Sequence, residues 1–222
     1  MARSSARPDS EPARPAPRLY VLVPGTASES AFATQAEALT QAAPEVDIAA
    51  VLMRSRKGAA LPAAASLKPL LGACHAIGAA GLVEGDAALA MAIGADGAHL
   101  DGPAALKVAA SKLRPNGIAG AGGLRSKHDA MTAAEDGADY VMFGEPDAEG
   151  RRPPFETTLE RIDWWAQLFE PPCVGYARTL EEVAALVTAG ADFIAVDTLI
   201  FDDPREGARA LAARLASAGG AS

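Results

Sequence analysis

Short apolar runs alternate along the chain with stretches in which apolar residues recur every three or four positions, from residue 19 to beyond residue 200. Near-continuous apolar runs bounded by turn residues are typical of strands buried on both faces, and the three-to-four spacing marks helices with one face turned inward. The runs predict strands at Leu19–Val23, Ile48–Met53, Gly81–Val83, Ala98–Leu100, Ile118–Ala121, Tyr140–Phe143, Cys173–Gly175 and Phe193–Val196. The periodic stretches predict helices near Ser30–Ala42, Ala63–Ala73, Asp86–Ile93, Pro103–Leu113, Lys127–Asp136, Thr157–Leu168, Leu180–Ala189 and Pro204–Leu215.

The boundaries carry their own signals. Gly-Ala-Asp occurs three times, at Gly94, Gly137 and Gly190, each time between a helix and an apolar run. Glycine directly after a helix closes the last turn in the left-handed conformation, so each copy reads as a helix stop. Helix starts carry caps: Asp86, Ser126 with Asp129, Thr179 with Glu182, and Asp203 before Pro204. The unit is helix, tight turn, strand, loop, helix, which is α/β organisation with a parallel sheet. Eight such units in this length predict a single closed (β/α)8, or TIM, barrel. In that architecture the helix-to-strand turns lie on the face tied to stability, and chemistry belongs at the C-terminal ends of the strands.

Composition narrows the reading. Residues 1–17, with Pro8, Pro12, Pro15 and Pro17 among Arg, Ser and Glu, predict a disordered tail; the barrel spans 18–216, and 217–222 read as a flexible end. No apolar run approaches the roughly 20 residues of a membrane span, and the N-terminus lacks the hydrophobic segment of a signal peptide, so a cytoplasmic location is expected. A formal charge of −8, with basic clusters no longer than Arg54-Ser-Arg-Lys57, argues against a nucleic-acid surface. Cys74 and Cys173 sit in apolar surroundings without metal or redox spacing and read as inert core thiols. His75 and His128 have no identifiable partner in the sequence.

Several stretches, taken in order, carry a resemblance: Arg18-Leu-Tyr-Val-Leu-Val23, Val51-Leu-Met-Arg-Ser-Arg-Lys57, "ALAMAIGADGAHL" ending at Leu100, "GADYVMFGEP" ending at Pro146 and "GADFIAVDTLI" ending at Ile200. Over most of residues 18–202 the chain resembles the thiamine phosphate synthases and the related thiazole tautomerases. The resemblance implies a barrel that joins an aminopyrimidine pyrophosphate to a thiazole phosphate and releases pyrophosphate. Mg²⁺ and basic residues there stabilise the departing diphosphate while the pyrimidine carbon becomes cation-like.

Residue by residue, the family's Gln-x-Arg-x-Lys after strand two is matched by Leu52, Arg54 and Arg56, so two cations remain and the glutamine is lost. Gly122-Gly123-Leu124 stands where the family has Ser-Thr-His, leaving backbone donors for an anion but no histidine for a tautomerase. Thr198 keeps the hydroxyl of the family's serine after strand eight. Arg54, Arg56, Gly122, Gly123 and Thr198 are thus the expected phosphate-binding set.

Other positions depart from the pattern. The family's metal-binding Asn-Asp and Asp are replaced by Glu84-Gly85 and Ala104, which leaves Glu84, Asp86 and Asp101 as the nearest carboxylates for a relocated Mg²⁺ site, with Asp86 read first as a helix cap. The threonine-rich, lysine-ending loop after strand six becomes Glu145-Pro146-Asp147 followed by Arg151-Arg152, and the Gly-Gly after strand seven becomes Tyr176-Ala177. Asp197 adds a negative charge beside Thr198. Glu84, His99, Asp101, Glu145, Tyr176 and Asp197 are expected to line the pocket; no catalytic residue is assigned. Two functions follow: a synthase with a rearranged phosphate site, or a non-catalytic or altered-ligand barrel with little synthase activity. In both, the partner is a small phosphorylated or heterocyclic ligand, and a homo-oligomer is compatible with the sequence.

Overall fold

The computed structural model describes residues 15–25, 29–54 and 64–217. Most of the expected tail, the expected flexible end after Ser217, and the candidates Arg56 and Lys57 lie outside the described residues. The first half of the chain runs β1 (Arg18–Val23), α1 (Glu29–Ala42), β2 (Ile48–Met53), α2 (Ala64–Ala76), β3 (Ala80–Glu84), α3 (Ala87–Ile93), β4 (Gly97–Asp101) and α4 (Gly102–Leu113). The second runs β5 (Ile118–Gly122), α5 (Lys127–Glu135), β6 (Tyr140–Phe143), α6 (Phe155–Leu168), β7 (Cys173–Tyr176), α7 (Leu180–Thr188), β8 (Phe193–Val196), α8 (Thr198–Phe201) and α9 (Pro204–Ser217). All eight strands pair in parallel and in chain order, and β8 closes on β1. The fold is a (β/α)8 barrel. One element was not expected: the single turn α8, which begins at Thr198.

The strands are apolar throughout because both faces are covered. Along β1, Tyr20 and Leu22 point into the barrel with Leu52, Leu82, Met142, Val174 and Tyr176, while Leu19, Val21 and Val23 face the helix ring. This is the two-residue alternation of a strand with an apolar partner on either side. Ring helices contribute Leu39, Leu67, Ile162, Trp165 and Leu211 to that outer layer. Cys74 and Cys173 are buried in it, and burial holds the Cys74 thiol up at about 12, which leaves it unreactive at neutral pH.

The three Gly-Ala-Asp junctions have one structure. Gly94, Gly137 and Gly190 take φ of 75°, 91° and 89°, the left-handed closure a side chain would resist. Each aspartate then clamps the neighbouring strand. Asp96 donates its N–H to the Gly81 carbonyl at 2.9 Å while its Oδ2 accepts the Gly81 N–H at 2.7 Å. Asp139 does the same to Ala119 of β5 (2.9 and 2.8 Å), and Asp192 to Cys173 of β7 (3.0 and 2.8 Å). The carboxylate satisfies a strand-end N–H that the barrel ladder leaves without a partner. The repeat is therefore a strand-registering device on the N-terminal face, far from the strand ends where a ligand would bind.

Candidate active site

The C-terminal ends of β2 to β6 and the loops after them enclose a cavity of about 600 Å³. Arg54, Glu84, His99, Asp101, Gly123 and Glu145 line its inner part, and Arg125, Arg151, Arg152 and Arg161 its rim. Strand geometry brings these residues together, because Glu84, Asp101 and Gly122 are the last residues of three adjacent strands and Glu145 follows β6 by two.

A polar chain runs from the barrel interior to this cavity. The Tyr20 and Tyr140 hydroxyls lie 2.7 Å apart, and the Tyr140 hydroxyl lies 2.8 Å from His99 Nδ1. Gly120, within β5, makes room for Tyr140, since a Cβ there would overlap the phenol ring. His99 is only 5% exposed, and burial lowers its pKa to about 4, so its ring is neutral at pH 7. Its Nε2 edge and Glu145 Oε1 meet above Gly122, where a Cβ would overlap both. Burial raises the Glu145 carboxyl above the usual range, partly offset by the Gly123 N–H that its Oε1 accepts at 2.5 Å.

The expected phosphate ligands are placed differently from expectation. Arg54 is mostly buried and engaged within the protein, with Nε donating to Glu84 Oε1 and an Nη to the Pro146 carbonyl, both at 2.8 Å. It ties β2, β3 and the β6 loop together. Gly123 directs its N–H to Glu145, not to an incoming anion. Thr198 is exposed, opens α8 and donates its N–H to Asp197 Oδ1, outside the cavity lining. Tyr176 and Asp197 also stand apart from that lining.

Tyr176 is the last residue of β7, not a loop residue, and it is fully buried in the barrel interior. Its hydroxyl donates to Asp197 Oδ2 at 2.8 Å, and burial followed by that bond raises its pKa to about 12. The Arg152 and Arg178 guanidiniums each lie 5.9 Å from its ring centroid. Arg152 forms a two-pronged pair with Glu182 of α7 (2.7 and 2.5 Å), and Glu182 also accepts the Arg178 N–H at 2.7 Å. The C-terminal ends of β7 and β8 are thus filled by the protein's own charges.

The remaining two rim arginines are engaged to different degrees. Among the described residues Arg125 and Arg161 have no carboxylate partner; Arg161 donates to the carbonyls of Leu124 and Arg125 at 2.7 and 2.6 Å and so holds the β5 loop in place. Arg151 is paired with Asp147 and Glu149. The sequence singled out neither Arg125 nor Arg161, nor the pair Tyr20 and Tyr140. The readable hint was an arginine following a glycine-rich strand end, Gly122-Gly-Leu-Arg125.

Two of the three carboxylates expected for a relocated Mg²⁺ site are already engaged within the protein. Glu84 is held by Arg54, and Asp86 accepts the Leu89 N–H as the cap of α3. Among the described residues no group of three or more His, Cys, Asp or Glu side chains converges on one point.

A closed parallel barrel with a cavity at the C-terminal strand ends, lined by an acidic floor and an arginine rim, defines a small-molecule site of the kind that takes phosphorylated ligands. Residues 19–200 match the family model of thiamine monophosphate synthase, and the chain belongs to that family. It is 35% identical to the thiamine-phosphate synthase of Hyphomonas neptunium, over 91% of this chain and 95% of that one. Identity to the Erythrobacter litoralis thiamine-phosphate synthase is 37%, covering 70% and 76% of the two chains. Among solved structures, the thiamine phosphate pyrophosphorylase of Pyrococcus furiosus superposes with a TM-score of 0.71 at 24% identity, covering 90% of this chain and 96% of that one; at that identity it supports the fold. The family is one of transferases of thiamine biosynthesis. Among the described residues no helix is long and apolar enough to cross a membrane.

Proposed function

We propose that this barrel works on a phosphorylated amino-heterocycle of thiamine biosynthesis, held with its ring against Glu145 and His99 and its phosphate toward Arg125 and Arg161. The observation that carries this is the polarity of the cavity: a half-buried Glu145 carboxyl and the buried His99 imidazole at one end, two arginines without carboxylate partners among the described residues at the other. The reaction proposed is the family's own, transfer of the pyrimidine's methylene carbon from diphosphate to the thiazole nitrogen, with the bonding electron pair leaving on pyrophosphate. Here the rim arginines hold the departing anion, and Glu84, Asp101 and Glu145 favour the cation-like pyrimidine that remains. Neutral His99, fixed by Tyr140, orients the ring without adding a like charge. No step is assigned to a metal, because Glu84 and Asp86 already have protein partners. The ligand is a cytosolic metabolite class, in keeping with the expected location.

A second reading, binding without coupling, is favoured by the filled ends of β7 and β8, where Tyr176, Asp197 and the Arg152–Glu182 pair occupy the region the family gives to a second phosphate. Calorimetry with the aminopyrimidine diphosphate and the thiazole phosphate, alongside a coupled assay for thiamine phosphate with Mg²⁺ supplied, separates the two. We expect saturable binding of the pyrimidine ligand and slow thiamine phosphate formation. Binding with no product selects the second reading, and absence of binding removes both. Arg125→Ala should weaken the diphosphate by about tenfold to a hundredfold, the range for one lost charged hydrogen bond, and leave the unphosphorylated pyrimidine unaffected.

A further inference from the structure

Glu145 is an acid in an unusual setting. It follows the conformationally special Gly144 (φ 89°) at the end of β6, with Arg54, Glu84, His99 and Asp101 lining the same cavity. Its Oε1 accepts the Gly123 N–H, the backbone N–H of Glu145 itself also bears on the carboxyl, and no side-chain donor bonds to it among the described residues. A carboxyl group offers about four lone-pair positions, so the two backbone N–H groups leave about two of them open to a ligand. The carboxyl is also fixed: Gly122 lies beneath it without a side chain, His99 Nε2 lies beside it, and the Gly123 bond stops rotation of its plane.

A fixed carboxyl with both oxygens able to bond matches one ligand shape, two adjacent polar atoms in the plane of a ring. We infer that Glu145 reads the amidine-like edge of the heterocycle, an exocyclic amine beside an unsubstituted ring nitrogen, through a two-point pair. Oε1 accepts from the amine, and Oε2 shares one proton with the ring nitrogen. The proton travels with the pair, on the carboxyl or on the ring nitrogen, so no further reactant is needed. This rests on the proposed amino-heterocycle reading and narrows it, since a ring carrying an oxo group or hydrogen in place of the amine would leave a buried carboxyl oxygen unpaired. Sites built to hydrogen-bond a group reject analogues that lack it more strongly than apolar pockets reject a missing methylene.

The test is calorimetry on the full chain with the aminopyrimidine monophosphate and its counterpart carrying hydrogen in place of the amine. Wild type should bind the amino compound about tenfold to a hundredfold more tightly than the hydrogen analogue. Glu145→Ala should erase that ratio. Glu145→Gln should largely keep it, because its carbonyl accepts from the amine and from Gly123 while its amide N–H donates to the ring nitrogen. Equal affinity of wild type for the two compounds overturns the inference without any variant, so a misfolded mutant cannot rescue it. An intact ratio in Glu145→Ala overturns it as well. If wild type binds neither compound, the amino-heterocycle reading itself has failed, which is a different result from equal binding.

Discussion

The two faces of the barrel use aspartate and glutamate in opposite ways. On the N-terminal face, Asp96, Asp139 and Asp192 each meet one backbone N–H of the preceding strand, at a fixed offset from a helix-ending glycine, and only secondarily a side chain, His75 at Asp96 and Arg114 at Asp139. On the C-terminal face, Glu84, Glu182 and Asp197 meet partners from distant elements: Arg54 after β2, Arg152 before α6 and Tyr176 at the end of β7. The first arrangement is periodic because a backbone donor occurs at the same place in every unit. The second is irregular because side-chain donors have no period, and each pair exists only where two loops happen to converge. What this teaches is that stability does not reside on one face alone: the upper face of this protein is braced by ion pairs of its own.

The largest effect is expected at Glu182. Replacing it by Ala leaves the Arg152 guanidinium, about four-fifths buried, without its partner and frees the Arg178 N–H, at a cost of about 3 kcal/mol. Urea denaturation measures it, and a loss below about 1 kcal/mol would mean that the upper face is not braced by this pair. Next come the three clamps. Asp96→Ala, Asp139→Ala and Asp192→Ala should each cost about 1–2 kcal/mol, the penalty for an unsatisfied strand N–H, and lower Tm by about 2–4 °C per kcal/mol. Ligand affinity should be unchanged in all three, because the clamps lie at the opposite end of the strands. A single dominant clamp, or altered affinity, would dissolve the contrast between the faces.

Acid should act mainly from above. Arg152 holds the Glu182 carboxyl below the usual range, so its contribution is present above the unfolded value of about 4.3 and is lost as pH falls through the folded one. Burial lowers His99 to about 4, so the fold excludes a proton that the unfolded chain binds below about 6.5; that contribution is present above 6.5 and is lost between 6.5 and about 4. Glu182→Gln should flatten the lower part of the stability profile, below about pH 4.3, and leave the part between 4 and 6.5 intact. The smallest change is expected for Tyr176→Phe, which removes one hydrogen bond to Asp197 while Asp197 still caps α8, at about 1 kcal/mol. A loss of several kcal/mol would show that the hydroxyl supports the whole filled end of β7 and β8.

Each strand was legible in the chain to within about one residue at either end, and so were the caps at Asp86, Ser126 and Thr179. The reason is local: a strand covered on both faces must be apolar along its length, and a helix start needs an oxygen for its free N–H groups. The single turn α8 escaped notice because four residues are too few to show a period. At the site, Glu84 and Asp101 end their strands and Glu145 follows one, which is where the cavity opens, while His99 reaches it from the middle of β4. The engagement of Arg54 by Glu84, 30 residues away, and by the Pro146 carbonyl, 92 away, did not follow from strand position.

Local rules in the amino-acid order were therefore enough for the barrel, its eightfold count, its helix stops and the family it belongs to, since each depends on residues a few positions apart. Which charges face a ligand depended on folding. Arg54 and Arg125 are both arginines after a strand, and nothing adjacent to them in the chain distinguishes one held by a carboxylate from one left at the rim. Closing the barrel brings β2 beside β3 and the β6 loop above them, and the resulting distances, through which charge interactions act, assign each cation its partner.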